Sequence, residues 1–148
     1  MGYWLLKSEP DDYSFDDLKA QEQDLWDGVK NFKALKNMSG MRRGDHFFFY
    51  HTGKERAIVG TGEVVSDPFP DPEQNNPRRL VIEVRAGERL TRPVTLKEIK
   101  ADERFGGWEL VHLPRLSVVP VSEPHWRMVL EIAGYYRPSN RVTPVDSM

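Results

Sequence analysis

The chain has 148 residues, of which 39% are hydrophobic and 30% are charged, and its formal net charge at pH 7 is −2. This balance is typical of a folded globular chain and excludes an intrinsically disordered one, and the length favours a single domain with a sizeable core. No apolar run approaches the roughly 20 residues that a membrane-spanning helix needs, so no membrane partner is expected.

The sequence contains no cysteine, which excludes disulfides, thiol catalysis and cysteine-based zinc sites. The N-terminal segment also lacks the pattern of a secretory signal, so we expect a cytoplasmic protein. The slightly acidic charge argues against a protein that coats long duplexes, because such proteins usually carry a basic surface. A pocket that holds one nucleotide or small molecule is compatible with this charge.

The first predicted strand ends in polar residues. Tyr3-Trp4-Leu5-Leu6 is an apolar run typical of a sheet interior, and Lys7-Ser8-Glu9 follows it directly. Pro10 then ends the regular ladder, because proline has no amide hydrogen to donate. Either the chain surfaces there, or the strand presents a cation, a hydroxyl and a carboxylate into a cavity.

Capping patterns predict the next elements. Ser14-Phe15-Asp16-Asp17 has the form of a capping box and predicts a short helix over residues 15–22. Residues 24–28 are predicted to form a turn in which the final glycine adopts a positive φ. Apolar residues at positions 32, 35 and 38 predict a second helix over residues 31–38.

The middle of the chain predicts three strands. The aromatic run over residues 46–52 indicates a strand covered on both faces. Residues 57–66 predict a second strand, and its glycines at positions 60 and 62 share one face that another backbone or a ligand can approach closely. Residues 67–72, which contain three prolines, predict a stiff loop without regular structure. Residues 79–85 place Leu80, Ile82 and Val84 on one face and predict the third strand.

The last third of the chain predicts two helices and one strand. Thr95 and Glu98 form a second capping box, which predicts a short helix through Lys100. Residues 116–121 predict a late strand, and Ser122 is expected to cap a helix that stops at Gly134. The tail beyond is expected to be loosely ordered. About five strands interrupted by short helices indicate an α+β domain with a curved, mostly antiparallel sheet.

Familiar catalytic and metal-binding motifs are absent from the sequence. The histidines have no spacing typical of metal ligands, and neither a G-x-S-x-G nor a Walker motif occurs, so we expect no metal and no cofactor. His51 stands at the end of the aromatic strand. Its position fits either a hydrogen-bonded structural histidine or a site residue.

The densest group of functional side chains is Trp26-Asp27-Gly28-Val29-Lys30-Asn31. An indole, a carboxylate, a cation and an amide occur here within six residues, just before a predicted helix whose first backbone N–H groups need acceptors. These side chains could line the rim of a cavity. They could equally form an Asp-Gly turn beside a core tryptophan.

Six motifs in a fixed order carry a family resemblance: YWLLKSEP, LWDGVKNFKA, FFFYHT, IVGTGEVVSDPFPDP, RPVTLKEIKAD and LPRLSVVPVSEPHW. From about Gly2 to Ile132 the chain resembles the EVE domain family, a member of the wider PUA-like group with YTH and ASCH domains. The resemblance implies one PUA-like pseudobarrel of five to six strands with short peripheral helices. It also implies binding of nucleic acid that carries a modified base, chiefly a modified cytosine such as 5-methylcytosine or 5-hydroxymethylcytosine in DNA, with RNA as another substrate.

Positions that match the family's motifs define the predicted pocket. They are Lys7, Ser8, Glu9, Pro10, Trp26, Asp27, Gly28, Val29, Lys30, Asn31, Tyr50, His51, Thr52, Arg115, Leu116 and Ser117. Position 30 often carries arginine in relatives. The lysine here lacks the planar fork of arginine, which matters if the position contacts a base edge rather than a phosphate.

We predict a role for most of these side chains. Trp26 and Tyr50 are the expected stacking walls, and Glu9 or Asp27 is the expected acceptor for a cytosine amine. The residues predicted to recognise the rest of the base edge are Ser8, Asn31 and His51, and those predicted to meet the sugar-phosphate are Lys7, Lys30 and Arg115.

Two other functions are compatible with the sequence. Serine, histidine and aspartate all occur among the pocket positions, so an enzyme acting on a modified nucleotide or RNA base is one alternative. A protein-interaction adaptor that uses exposed aromatic side chains is the other, and a contiguous apolar surface would favour it. The reader of a modified base, without catalysis, is the preferred interpretation.

Overall fold

The computed structural model describes residues 2–134, which form a curved seven-stranded sheet with short helices around it. The strands are β1 (Tyr3–Ser8), β2 (Gln23–Trp26), β3 (His46–His51), β4 (Ala57–Val64), β5 (Phe69–Pro70), β6 (Leu80–Thr95) and β7 (Val118–Val121). The helices are α1 (Phe15–Gln21), α2 (Phe32–Ser39), α3 (Leu96–Ala101), α4 (Glu109–His112) and α5 (Glu123–Ile132), with a 3₁₀ turn at Glu103–Phe105.

The sheet is mostly antiparallel, as predicted. Its strand order is β2-β6-β4-β3-β1-β7, and β5 pairs with β6. The pair formed by β1 and β3 is parallel, and its register places Ser8 beside His51. The polar end of β1 and the end of the aromatic strand therefore meet at the same edge of the sheet.

Strand β3 is covered on both faces, which confirms the prediction from its aromatic run. Phe49 contacts Phe15 of α1 with ring centroids 5.4 Å apart, and Phe48, which points to the opposite face, stacks on Trp126 of α5 at 3.9 Å. All three of these phenylalanine side chains are fully buried. Removing each such ring from water contributes about 1.5–3 kcal/mol to folding, so this strand organises the core.

The two glycines of β4 make room for these rings. A Cβ atom at Gly60 would lie 2.5 Å from the ring of Phe15, and one at Gly62 would overlap the ring of Phe47. The predicted approach of a backbone is present at Gly62, where the Arg85 carbonyl oxygen would lie 2.8 Å from the Cβ atom, whereas at Gly60 a core side chain makes the contact instead of a backbone or a ligand.

Each predicted helix cap is present. Ser14 and Thr95 form complete capping boxes with the third residue of their helices, and Ser122 accepts a hydrogen bond from the His125 N–H. Asn31 is the N-cap of α2 rather than its first residue, and its side-chain oxygen accepts from the Ala34 N–H at 2.9 Å.

Three predictions of secondary structure are wrong. Residues 23–26 form β2 instead of a turn, because they pair with residues 82–85 of β6. The strand predicted over residues 79–85 begins one residue later and continues to Thr95, since it also pairs with β4. Phe69–Pro70, in the predicted loop, pairs with the start of β6. These pairings explain why the sheet exceeds the expected five to six strands.

No helix among residues 2–134 combines the length and apolarity needed to cross a membrane. The tail for which loose order was predicted, beyond Gly134, lies outside the described residues.

Candidate functional site

A cleft of about 690 Å³ opens at the polar end of β1, between that strand and the segment that follows β2. Nine predicted site residues line it: Lys7, Ser8, Glu9, Trp26, Asp27, Gly28, Val29, Lys30 and Ser117. Four others were not predicted: Asp12, Tyr13, Asp24 and Leu25. The end of β1 and the loop before α2, which are about 20 residues apart in sequence, thus form one concave surface.

Trp26 supplies a half-buried indole wall. Its ring packs edge-on against Phe49, with centroids 5.5 Å apart and planes at 86°, and tilted against Phe47 at 6.4 Å. Pairing of Trp26 with Ile82 fixes the backbone on which the indole stands. The core therefore holds the indole rigidly while part of it faces the cleft.

Tyr13 provides a second aromatic side chain that sequence reasoning missed. Its ring stands at 83° to the Trp26 ring with centroids 6.4 Å apart, so the two rings form a corner. The Tyr13 hydroxyl donates to Asp24 Oδ2 at 2.5 Å. Burial and this carboxylate together raise the pKa of Tyr13 far above its ordinary value, so the hydroxyl stays protonated.

Two features of the sequence could have predicted that Tyr13 and Asp24 lie at the cleft beside Trp26. Asp24 and Trp26 are two residues apart in a strand, which places both on the same face of the sheet. Tyr13 directly precedes the N-cap of α1, where an apolar side chain commonly packs back on the protein. The incorrect prediction of a turn over residues 24–28 concealed the first of these features.

Side chains at the end of β1 are partly occupied by contacts within the protein. Lys7 Nζ donates to the Pro114 carbonyl at 2.8 Å, and burial lowers the pKa of Lys7. Ser8 Oγ donates to the Tyr13 carbonyl at 2.5 Å, and Glu9 Oε2 accepts from the Asp11 N–H at 3.0 Å. The strand thus presents polar groups into a cavity, and its own hydrogen bonds hold these groups in position.

Five cleft residues with polar side-chain atoms have no side-chain hydrogen-bond or ion-pair partner among residues 2–134: Asp12, Trp26, Asp27, Lys30 and Ser117. Asp27 and Lys30 are exposed, and Gly28 between them has a φ of +77°, which lets the chain turn. A carboxylate, an ammonium and a hydroxyl are therefore available to a ligand at the rim.

The predicted role of Tyr50 as a stacking wall is wrong. Tyr50 is only 3% exposed, and the Lys7 ammonium lies 5.5 Å from its ring centroid. Its ring belongs to the core beneath the cleft, so a base could not reach its face. Tyr13 occupies the position at the cleft surface that was predicted for Tyr50.

His51 and Thr52 also lie behind the cleft and do not line it. The His51 side chain is buried, its Nε2 accepts from the Phe15 N–H at 3.0 Å, and its Nδ1 lies 2.8 Å from Glu55 Oε1. Because Nε2 accepts, the ring proton is on Nδ1 and is donated to Glu55. The histidine thus links the start of α1 to β3 by a hydrogen bond. Of the two interpretations of His51 from the sequence, the structure supports the hydrogen-bonded structural histidine. The Thr52 N–H donates to the Ser8 carbonyl at 2.9 Å.

The remaining predicted residues lie beside the cleft. Asn31, Arg115 and Leu116 line a neighbouring depression of about 310 Å³. The Asn31 oxygen is used in capping α2, while the Arg115 side chain has no hydrogen-bond or ion-pair partner within residues 2–134. Pro10 follows β1 without lining the cleft. Within residues 2–134, no group of three or more histidine or acidic side chains could hold a metal ion.

Comparison with known proteins identifies the family. A model of the EVE domain matches residues 2–132. The chain belongs to the EVE domain family. Thymocyte nuclear protein 1 from Homo sapiens is 30% identical to it over 164 aligned residues, which cover 88% of this chain and 73% of that protein. The protein of the same name from Gallus gallus is 31% identical, with 88% of this chain and 68% of that protein covered.

Solved structures of relatives share the fold. Protein Atu2648 from Agrobacterium tumefaciens is 35% identical, with a TM-score of 0.88 over 93% of this EVE domain chain and 97% of its own. Human THYN1 protein, solved in complex with 5-methylcytosine containing DNA, is 28% identical. Its TM-score is 0.83, with 90% of this chain and 98% of that chain covered. The ASCH structure from Zymomonas mobilis confirms the PUA-like fold. It is 8% identical and has a TM-score of 0.57, with 88% of this chain and 95% of that chain covered.

Proposed function

We propose that this EVE domain protein binds nucleic acid by holding one modified base, above all a modified cytosine in DNA, in the cleft against Trp26. The observation that carries the proposal is a half-buried indole that forms the wall of a cleft whose rim holds carboxylates and cations. The human THYN1 protein, which has the same fold and 28% identity, was solved with 5-methylcytosine containing DNA, and this supports the proposal.

The aromatic corner supplies the energy that a single base needs. A base must leave the helical stack to enter the cleft, which costs a few kcal/mol. Stacking on an aromatic side chain returns about 1–3 kcal/mol per base. The face of Trp26 is the stacking surface, and Tyr13, at 83° to it, closes one side. The site therefore suits one extruded heterocycle.

The cleft carboxylates can recognise the edge of cytosine. A carboxylate accepts from the exocyclic amine of this base, and the two candidates differ in how far they are engaged. Glu9 already accepts from the Asp11 N–H, whereas both oxygens of Asp27 are free among residues 2–134. Asp12 is equally free, but Asp27 directly follows Trp26 in the chain, so Asp27 is the preferred acceptor. Lys30, three residues further on, meets a phosphate as a point charge.

The geometry favours a reader over an enzyme. A nucleophile and its base must lie within hydrogen-bond reach of each other, but His51 does not line the cleft and both of its ring nitrogens are engaged. Incubation with modified oligonucleotides followed by mass spectrometry checks this point. An unchanged oligonucleotide mass is expected, and a changed mass would demonstrate turnover.

The proposed function is tested by titrating the full chain with 12-nucleotide probes that differ at one position: cytosine, 5-methylcytosine or 5-hydroxymethylcytosine. Single-stranded and duplex DNA and the corresponding RNA probes are compared. We expect roughly tenfold tighter binding to a modified DNA probe than to its unmodified counterpart, which corresponds to about 1.4 kcal/mol. Equal affinity for all probes would contradict the proposal.

Trp26→Ala links this preference to the cleft. Loss of the stacking wall is expected to weaken binding of the preferred probe by roughly 10- to 100-fold, because stacking contributes about 1–3 kcal/mol per base. Trp126→Ala is the matched control, since Trp126 is also half-buried but stacks on Phe48 away from the cleft. The control should keep the preference at temperatures where both variants are folded. Retained binding by folded Trp26→Ala would remove the indole from the site.

A further inference from the structure

A second concavity, of about 660 Å³, lies between the turn that follows β3 and helix α3. It is lined by residues 54–56 and 95–97 together with Lys100 and Ala101, and we refer to it as the basic groove. None of its residues belongs to the predicted pocket, and the cleft and the basic groove share no lining residue.

Four unpaired cations surround the basic groove: Lys54, Arg56, Lys97 and Lys100. All four are exposed, and none of their side chains has a hydrogen-bond or ion-pair partner among residues 2–134. Glu55, the acidic residue in the lining, accepts from the neutral His51 ring and keeps its negative charge, so the lining carries three net positive charges. Uncompensated like charges around a concavity attract anions.

This arrangement differs from that of the arginines in the neighbouring strand β6. The arginines of β6 are paired with acids: Arg85 with Glu63, Arg89 with Asp16 and Arg92 with Glu98. The chain as a whole has a net charge of −2. The unpaired positive charge in the basic groove is therefore a local feature, one that the overall composition conceals.

The basic groove is joined to the cleft through one turn. Gly53, at φ +77°, packs so closely on Glu9 that a Cβ atom would lie 2.6 Å from Glu9 Oε1. The next residue, Lys54, already lines the basic groove. A strand of nucleic acid that leaves the cleft past Glu9 would therefore reach the basic groove directly.

Backbone contacts hold the basic groove open. Arg56 has a φ of +44°, a region that non-glycine residues rarely adopt, and its carbonyl accepts from the Leu96 N–H at 2.8 Å. This bond ties the turn to the start of α3. Because the groove is preformed, ordering its loop on ligand binding costs little free energy.

From these contacts we infer that the basic groove binds the sugar-phosphate backbone of the same strand whose base occupies the cleft. This inference rests on the proposed function, and it adds a second surface that supplies affinity without recognising a base. Phosphate contacts of this kind position a nucleic acid and carry no sequence information. The apolar side chains of Leu96 and Ala101 between the cations suit the faces of the sugars.

The test is a double variant, Lys97→Gln with Lys100→Gln, compared with Lys19→Gln and Lys36→Gln as a matched control. Both pairs remove two helical lysines, and Lys19 and Lys36 line neither the cleft nor the basic groove. Binding of a single-stranded 12-mer and of a trinucleotide, each carrying 5-methylcytosine at its centre, is measured at several salt concentrations.

We expect the groove variant to bind the 12-mer roughly five- to tenfold more weakly than the control does at low salt. Its plot of log K against log salt should be shallower by about 1.4, because each lost phosphate contact on a single strand removes about 0.7 from the slope. Binding of the trinucleotide should be the same for both variants, since it is too short to leave the cleft and fill the basic groove.

Equal slopes and affinities for the groove variant and the control would overturn the inference. If wild-type protein shows no preference for the modified probe, the proposed function fails, and the basic groove is then judged on an unmodified 12-mer. A shallower slope for the groove variant would still support it there, and equal slopes would overturn it. Should the double variant unfold, Lys97→Gln alone is expected to show about half the change in slope.

Discussion

The cleft and the basic groove are nearly equal in size, about 690 and 660 Å³, but differ in what lines them. The cleft combines an indole, a phenol and free carboxylate and ammonium groups at its rim. The basic groove has aliphatic side chains and four unpaired cations. The two concavities differ in chemistry rather than in size. The cleft suits a flat heterocycle, and the basic groove suits a polyanion.

The two proposals together assign selectivity and affinity to separate surfaces. Stacking and edge contacts distinguish one base from another, while phosphate contacts raise affinity for any nucleic acid and weaken as salt rises. Variants in the cleft should therefore change the preference for a modified base, and variants in the basic groove should change the salt dependence.

Asp27→Asn is expected to have the largest effect on base preference after the loss of Trp26. If the Asp27 carboxylate accepts from the cytosine amine, its loss should weaken binding of the cytosine-derived probe by roughly 10- to 100-fold. Removing a negative charge near DNA would otherwise strengthen binding, so the predicted direction is opposite to the general charge effect. Competition titrations with cytosine-derived and thymine probes measure it.

Glu131→Gln is the control for Asp27→Asn, because it removes an exposed carboxylate of α5 outside the cleft. It should leave the preference intact. Tighter binding of every probe by Asp27→Asn would show that this carboxylate only repels phosphate, and the role of edge acceptor would then pass to Glu9.

Asp45→Asn is expected to change stability and leave both surfaces unaffected. Asp45 is 5% exposed and accepts from the Gly2 N–H at 2.8 Å and from Trp4 Nε1 and the Arg42 N–H, each at 2.9 Å. Burial alone would raise the pKa of Asp45, but these hydrogen bonds lower it below its ordinary value. The amide NH₂ of asparagine cannot replace a carboxylate oxygen as acceptor, so the variant should lose about 1–3 kcal/mol of unfolding free energy at pH 7.

The sign of the pH dependence follows from the lowered pKa. Stabilisation by Asp45 is complete above the unfolded value of about 3.9 and is lost as the pH falls through the lower folded value. Urea unfolding between pH 2 and 7 should therefore show a weaker acid dependence for Asp45→Asn than for wild type. An unchanged stability at pH 7 would contradict this account of Asp45, and a changed base preference would contradict its separation from the cleft.

Lys30→Arg is expected to have the smallest effect. If Lys30 meets a phosphate as a point charge, arginine replaces it with less than about a threefold change in affinity and the same base preference. A changed order of preference among the modified probes would instead show that position 30 contacts the base edge.

How far the sequence predicts the site depends on how local each contact is. The caps at Ser14, Thr95 and Ser122 were predicted correctly, since each depends on a hydrogen bond that spans three residues. The corner of Tyr13 and Trp26 was not, because it requires β2 to pair with β6, some 60 residues further along the chain. The hydrophobic pattern cannot reveal such a pairing when the segment also carries turn-forming residues.

The incorrect prediction for Tyr50 also shows that non-local contacts limit what the sequence can predict. Tyr50 and Trp26 were equally plausible as stacking residues on chemistry alone. Burial separates them: Tyr50 is 3% exposed in a strand covered on both faces, while Trp26 is half-buried near the edge of the sheet. The motifs correctly indicated which segments meet, but which side chain faces outward depends on register and on the layers above and below.

The central claim is that one modified base stacks on Trp26, and the most direct measurement is an NMR titration that follows the indole N–H signals of the four tryptophans. Addition of a 12-mer carrying 5-methylcytosine should shift the Trp26 signal strongly, together with the backbone amides of residues 7–9 and 27–30. The Trp4, Trp108 and Trp126 signals should stay nearly unchanged, because their side chains do not line the cleft. A bound probe that leaves the Trp26 signal in place would contradict the account.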